Sequence, residues 1–510
     1  MKTQNVSRTV LAAGVGAVLA ATALLYVPEL VGQDPPPPPS PAQRAVIAAH
    51  AGAQAALPEL AALITDREKW LRAHPDDDAS WAELGAAYTE RGTRLGDVRD
   101  FPRAERALRR SLDERPAARG NLTAQLGLGA LAGARGDWRT AKEWGERVRK
   151  ADPRRWPVYP VLMDAYNGLG EYPAARKAME TLEELHAGAV VRARASQTYR
   201  DRGWREDADA AALDAAALAE TDTDKAAALA CLGDLAWERG EPEEALARYG
   251  SALRLVRDHG PSLAGRARAL AALGRTDEAL RDWRAALARL PLPEYVLEAG
   301  ELYESLGLAG DARALYERLR TGTWARGEVT LALLDADHGD PAAAVARMRA
   351  EWARGHRSVR VADALGWALY RSGQPEEALE YAKRATDEGV RSALFSYHLG
   401  EIERALEQTG PARRHLAEAL RINPGFSPLL APRATDALTA LGEPPAEPPK
   451  ELRRESPGAA GAAGTKAVPE TETAGAEPDE AREAASAEEP GTAETGPSTS
   501  PPQPTRPAKP

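Results

Sequence analysis

An all-α solenoid of stacked helical hairpins is the fold this sequence predicts. Three observations predict it. A small residue opens every second helix at Ala104, Ala141, Ala175, Ala208, Ala245, Ala279, Ala312, Ala344, Ala378 and Ala412, in steps of 32 to 37 residues. A period of that length marks units that cannot bury their apolar faces alone and must stack. Twelve residues ahead of several of these alanines stands a glycine: Gly129, Gly233, Gly300, Gly366 and Gly400, with Gly85 in the same role ahead of an insertion. Glycine inside a helix costs about 1 kcal/mol against alanine, and the usual return is the close approach of a neighbouring helix. Between Gln43 and Gly442 no stretch alternates apolar and polar residues with the period of two that marks a half-buried strand.

Residues 1–8 form a basic, cytoplasmic N-terminus carrying Lys2 and Arg8. Residues 9–27, TVLAAGVGAVLAATALLYV, hold no charge. As a helix they reach roughly 28 Å, close to a bilayer core, and the basic flank predicts the rest of the chain outside. The expectation is a transmembrane anchor with an extracytoplasmic repeat domain at the cell membrane. The alternative is a secretory signal cut at Ala21-Thr22-Ala23, which leaves LLYV exposed and the protein secreted. Residues 28–42 contain five consecutive prolines, Pro35 to Pro39, a stiff spacer. The helical repeats fill residues 43–442. Residues 443–510 carry thirteen acidic and seven basic residues with little apolar surface, which predicts a disordered tail.

Within the repeats, bulky residues surround the small ones. Trp81, Leu84 and Tyr88 serve one unit, Leu162 and Tyr166 another, and Leu232, Trp237 and Tyr249 a third. Turns recur as Arg-Gly-Asp-Trp, Gly-Glu-Tyr-Pro and Gly-Glu-Pro-Glu, and units close on Pro116, Pro153, Pro291 and Pro424. Ser80 to Pro116 has Trp81, Leu84, Gly85, Tyr88, Ala104, Leu108 and Pro116; Phe395 to Pro424 has Leu399, Gly400, Ala412, Leu416, Ala419 and Pro424. On these residues the chain resembles the tetratricopeptide repeat family, in a bacterial, actinobacterial-like, membrane-anchored form. Arg and Ala abundance suggests the GC-rich bacterial source. Departures are extra residues between Gly92 and Asp100 and weak units over Ala187–Glu220 and Thr330–Glu351. The resemblance implies a right-handed superhelix of about 10–11 hairpins whose first helices line a concave face that binds a protein or peptide. The stretch from Leu60 to Gly92 is also similar to repeat regions of bacterial cytochrome c maturation proteins.

Little else in the chain carries chemistry. The net charge of -10 argues against a nucleic-acid partner. Cys231 is the single cysteine, so no intrachain disulfide forms. Eight histidines are scattered with no pair at metal-ligand spacing, and His74, His186 and His259 fall near unit ends as capping residues. Asp76-Asp77-Asp78 reads as a turn and helix cap, with Asp78 or Ser80 as the capping residue. Carboxylate pairs such as Glu376-Glu377 sit in first turns of helices, where the dipole favours them. No enzyme, metal or cofactor is expected. Arg194, Arg266, Arg268 and Arg404 are the candidate protein-binding residues on first helices, and Trp144, Trp204, Trp324 and Trp352 are read as core. The function expected is a membrane-tethered scaffold. The alternatives are an assembly factor for envelope proteins such as cytochromes c and a soluble cytoplasmic regulator.

Overall fold

The structure, a computed structural model, describes residues 38–442. Over these residues run twenty-three α-helices and one short 3-10 turn, with no strand. They pair into eleven hairpins. Hairpins 1 to 4 are α1 (Pro41–Ala51) with α2 (Leu57–Ala73), α3 (Asp78–Leu95) with α4 (Asp100–Glu114), α5 (Leu122–Ala134) with α6 (Trp138–Ala151), and α7 (Val158–Leu169) with α8 (Tyr172–Leu185). Hairpins 5 to 8 are α9 (Ala189–Arg200) with α10 (Arg205–Leu218), α11 (Asp222–Glu238) with α12 (Pro242–Leu255), α13 (Gly260–Ala272) with α14 (Thr276–Arg289), and α15 (Pro293–Ser305) with α16 (Ala309–Thr321). Hairpins 9 to 11 are α17 (Glu328–His338) with α18 (Pro341–Ala353), α19 (Val359–Arg371) with α20 (Pro375–Asp387), and α21 (Ala393–Ala405) with α22 (Thr409–Ile422). A last helix, α23 (Leu430–Ala440), packs on α22.

The hairpin is built from its small residues. Eight of the ten periodic alanines, among them Ala104, Ala245 and Ala412, have no exposed surface, and Ala175 and Ala312 are 3% and 2% exposed. The glycine of the first helix makes the matching hollow. A Cβ on Gly85 would strike Leu108, one on Gly233 Tyr249, one on Gly300 Tyr316 and one on Gly400 Leu416. In these four hairpins one bulky side chain from the second helix thus fills the space that the missing Cβ leaves on the first. Full burial of such a side chain contributes about 1.5–3 kcal/mol, which outweighs the roughly 1 kcal/mol cost of the helical glycine.

The turn inside ten of the eleven hairpins repeats one hydrogen-bond pattern, hairpin 9 being the exception. The residue after the turn glycine donates its N–H to the carbonyl five residues back: Glu171 to Tyr166, Trp204 to Tyr199, Glu241 to Ala236, Gln374 to Leu369. This closing bond satisfies an orphan carbonyl at the helix end and places one residue in the left-handed region. Gly203 holds that place with φ 72°. In hairpin 11 Glu407 holds it with φ 57°, the one non-glycine residue at positive φ among those described.

Successive hairpins coil until the chain meets itself. The turn of hairpin 3 at Gly136 rests on Ala325 and Arg326, between hairpins 8 and 9. The turn of hairpin 4 at Gly170 rests on Arg357, that of hairpin 5 at Gly203 on Gly389, and that of hairpin 6 at Gly240 on Ile422 and Pro424. A Cβ on Gly170 or Gly203 would run into the carbonyl below it. Hydrogen bonds line the same seam. Val359 N–H donates to the Tyr172 hydroxyl at 2.8 Å, Asn423 Nδ2 to the Trp237 carbonyl at 2.7 Å, and Arg139 Nη2 to the Arg354 carbonyl at 3.2 Å. One circuit therefore takes between five and six hairpins. The turn glycines of hairpins 7, 8 and 10, Gly274, Gly307 and Gly373, have no described atom within 4 Å of a Cβ, because no later hairpin lies beyond them.

Several expectations change. Among the described residues no helix is long and apolar enough to cross a membrane. The longest, α3, has 18 residues and carries Asp78, Glu83, Glu90, Arg91 and Arg94. The reading of a transmembrane helix within the fold, of a membrane partner and of single-pass membrane localisation with an extracytoplasmic repeat domain is corrected accordingly. Residues 9–27, for which the anchor was expected, lie outside the described residues. So does the acidic tail over 443–510, and its expected disorder is set aside with the anchor. Smaller corrections follow from geometry. Asp77 caps α3, its carboxylate accepting from Ser80 N–H at 3.0 Å, one residue before the expected cap. His259 stands at the N-terminal end of α13 and bonds the Ser262 hydroxyl at 2.7 Å. Trp204 is 47% exposed on the turn of hairpin 5.

Candidate functional site

First helices of neighbouring hairpins are tied by ion pairs into a ladder. Arg194 on α9 pairs with Asp164 on α7 at 2.7 Å. Arg200 on α9 pairs with Glu238 on α11, and Arg268 on α13 with Glu298 on α15. Arg371 on α19 pairs with Asp337 on α17 at 2.7 Å, and Trp367 Nε1 donates to the same carboxylate at 3.1 Å. Tyr249 and Tyr316 each reach back from the second helix to a first-helix carboxylate, Asp234 at 2.6 Å and Glu304 at 2.8 Å. The arginines keep their charge, since the nearby carboxylates hold Arg200 and Arg268 above the usual range against the pull of burial.

The ladder breaks at hairpin 8. Glu301 on α15 has no cation on it among the described residues. Burial first, then the negative charges of Asp337, Glu298 and Glu304, push its pKa up to about 8. Its contact is the Ser427 hydroxyl, donating at 3.4 Å from a loop 126 residues further along. By exposed area the Glu301 side chain is half-buried.

The four arginines singled out in the sequence are all engaged and do not converge. Arg194 and Arg268 are rungs of the ladder. Arg404 pairs with Glu401 on its own helix at 2.7 Å. Arg266 makes a two-pronged pair with Asp282 inside hairpin 7, at 2.6 and 2.8 Å, and Asp282 is 8% exposed. The repeat residues stay in the packing. Leu84, Tyr88 and Tyr166 are 4–5% exposed and Tyr249 is fully buried. Trp81 donates Nε1 to the Pro75 carbonyl at 2.9 Å, Gly129 faces Trp144 and Val161, and Gly366 faces Ala378 and Ala382. Pro424 joins the seam at Gly240.

One open pocket of about 370 Å³ lies on hairpins 6 and 7, with Arg254, Arg266, Arg275 and Arg281 around Leu246, Gly250 and Leu270. Reactive groups are scarce elsewhere. No group of three or more His, Cys, Asp or Glu among the described residues could hold a metal ion. Cys231 is half-buried, 3.5 Å from the Ser196 hydroxyl, and burial pushes its thiol up, away from the reactive thiolate. Sequence spacing placed the first-helix arginines but not the partners of Arg194 and Arg268, because those come from an adjacent hairpin, about thirty residues away.

No protein-family model matches the chain, and no curated protein matches it. Solved structures do. Human IFIT1, as a dimer with PPP-AAAA, is 13% identical over 70% of this chain and 87% of its own, with a TM-score of 0.41. The APC/C hetero-tetramer Cut9-Hcn1 is 14% identical over 79% and 84%, with a TM-score of 0.38. A tetratricopeptide repeat protein from Parabacteroides merdae ATCC 43184 is 19% identical over 50% and 99%, with a TM-score of 0.31. Each score is below 0.5, and the tetratricopeptide-like fold is read from this chain's own hairpins. None of these matches supports the expected actinobacterial source or a membrane anchor.

Proposed function

We propose that this chain is a scaffold of tetratricopeptide-like hairpins that binds a protein or peptide segment and catalyses nothing. The observation that carries the reading is the stack itself. Eleven hairpins spend their recurring small and bulky positions on packing, and several of their first-helix ionisable groups on ion pairs between neighbours. Such a stack offers surface shape and fixed charge over a long span, which suits recognition of an extended segment. The scaffold domain is residues 43–442. Arg194, Arg266, Arg268 and Arg404 are proposed as contact residues, each held in place by its carboxylate before a partner arrives, which lowers the ordering cost of binding. The membrane-tethered version of this reading is not retained.

The test is panning of a random peptide library against the full-length protein, followed by titration of the enriched peptides in solution. Enriched sequences that bind the folded but not the heat-unfolded chain support the scaffold reading. No enrichment over successive rounds contradicts it.

A further inference from the structure

The arginine pocket on hairpins 6 and 7 contains an unusual glycine. Gly250 lies in the interior of α12, where glycine is unfavourable. Other mid-helix glycines are explained by packing: a Cβ on Gly85, Gly233, Gly265, Gly300 or Gly400 would lie within 2.8 Å of a side chain. A Cβ on Gly250 would meet only Arg254 Nη1, at 4.0 Å. Nothing in the hairpin packing requires the residue. Its absent side chain instead leaves room in the pocket that Leu246, Ala247 and Leu270 also line.

The surrounding charge is positive and ordered. Asp282, nearly buried, grips Arg266 through Nε and Nη2, and Glu278 grips Arg275 through the same two atoms at 2.8 Å each. Both guanidinium groups keep Nη1 without a partner among the described residues. Arg254 donates to the Ser251 hydroxyl at 2.8 Å, and Arg281 has no carboxylate partner among the described residues. The two acids lining the pocket are therefore already spent on two of its four arginines. The net surplus of two positive charges borders an apolar floor, in a volume within the roughly 300–1,000 Å³ range of ligand sites.

We infer that this pocket binds a carboxylate-bearing side chain of an acidic peptide segment, the aliphatic stem lying on Leu246 and Leu270 and the carboxylate meeting Arg254, Arg281 and the free edges of Arg266 and Arg275. The inference rests on the scaffold reading above and gives it a site and a partner chemistry. The pre-gripped guanidinium groups make two-pronged contact with a carboxylate, the geometry in which arginine binds most strongly.

The probe is a fluorescein-labelled peptide of glutamate, leucine and serine, titrated by anisotropy against the full-length protein, with its glutamine-for-glutamate counterpart as control. Saturable binding of the glutamate peptide alone, weakening as salt rises, is expected. Arg254→Glu with Arg281→Glu weakens it by about tenfold or more. Gly250→Leu abolishes it while raising the melting temperature, which separates a filled pocket from a misfolded protein. Excess inorganic phosphate at constant ionic strength does not displace the peptide. Equal binding of the two peptides, binding unchanged in both variants, displacement by phosphate, or tighter binding of single-stranded RNA overturns the inference. If library peptides bind the Arg254→Glu, Arg281→Glu variant as they bind the wild type, the pocket is wrong and the scaffold reading stands. If the library yields no binder, the scaffold reading itself falls.

Discussion

Glu301 stores a pH dependence in the interior of the coil. Its pKa rises from the ordinary 4.5 to about 8, chiefly through burial. Between those values the unfolded chain has lost the proton and the folded chain still holds it. The folded state then binds more protons, so stability falls as pH rises from about 4.5 to about 8 and levels off above. Glu301→Gln keeps the shape of the protonated carboxyl. Its melting temperature is expected to match the wild type near pH 4.5 and to exceed it at pH 8; equal pH profiles would remove Glu301 as the source. Glu407 makes a second residue-scale prediction. It holds a left-handed turn position that glycine holds in most other hairpins. Glu407→Gly relieves a cost of about 1 kcal/mol and raises the denaturant midpoint. Such details were only half legible beforehand: glycine at the turns is visible in the sequence, whereas the surroundings of Glu301 depend on Ser427 and Asp337 arriving from further along the chain.

At the scale of the hairpin, the sequence was most informative. The spacing of Gly233 and Ala245, or of Gly400 and Ala412, is set by two helices in contact, and helix geometry leaves that spacing little freedom. Gly366 shows how tight the contact is. A Cβ there would lie 3.0 Å from the Ala382 backbone N and 3.1 Å from the Ala378 carbonyl, neither of which is the end of a flexible side chain. Gly366→Leu should therefore destabilise by about 1–3 kcal/mol, read from urea denaturation. The same change at Gly250, facing open space, should not destabilise. The insertion over Gly92–Asp100 was less readable. Its residues lengthen α3 through Leu95 before Gly96 turns the chain, because Gly92 itself packs against Phe101 within the hairpin. The weak hairpin over Ala187–Glu220 substitutes alanines for bulk: Ala208, Ala211, Ala212, Ala215 and Ala216 are all buried on α10.

For the whole solenoid over residues 38–442, the decisive feature is the seam between successive circuits. Its hydrogen bonds join residues 186 to 215 apart in the chain, a separation that no local pattern encodes. It depends on small rotations between neighbouring hairpins adding up over a full circuit. The glycine turns that make it possible are visible in the sequence, but their second use as seats for a later loop is not. The seam is mostly backbone and partly exposed charge, such as Arg202 with Glu388 at 3.2 Å, so each contact contributes little by itself. The most direct test places cysteines at Arg202 and Glu388 in a Cys231→Ala background and treats the protein with a short bis-maleimide. Rapid, near-complete intramolecular crosslinking, seen as a faster-migrating band under denaturing conditions and lost when Gly203→Val is added, is the predicted result. Two fully reactive cysteines that never bridge within one chain would contradict a coil whose circuits rest on one another.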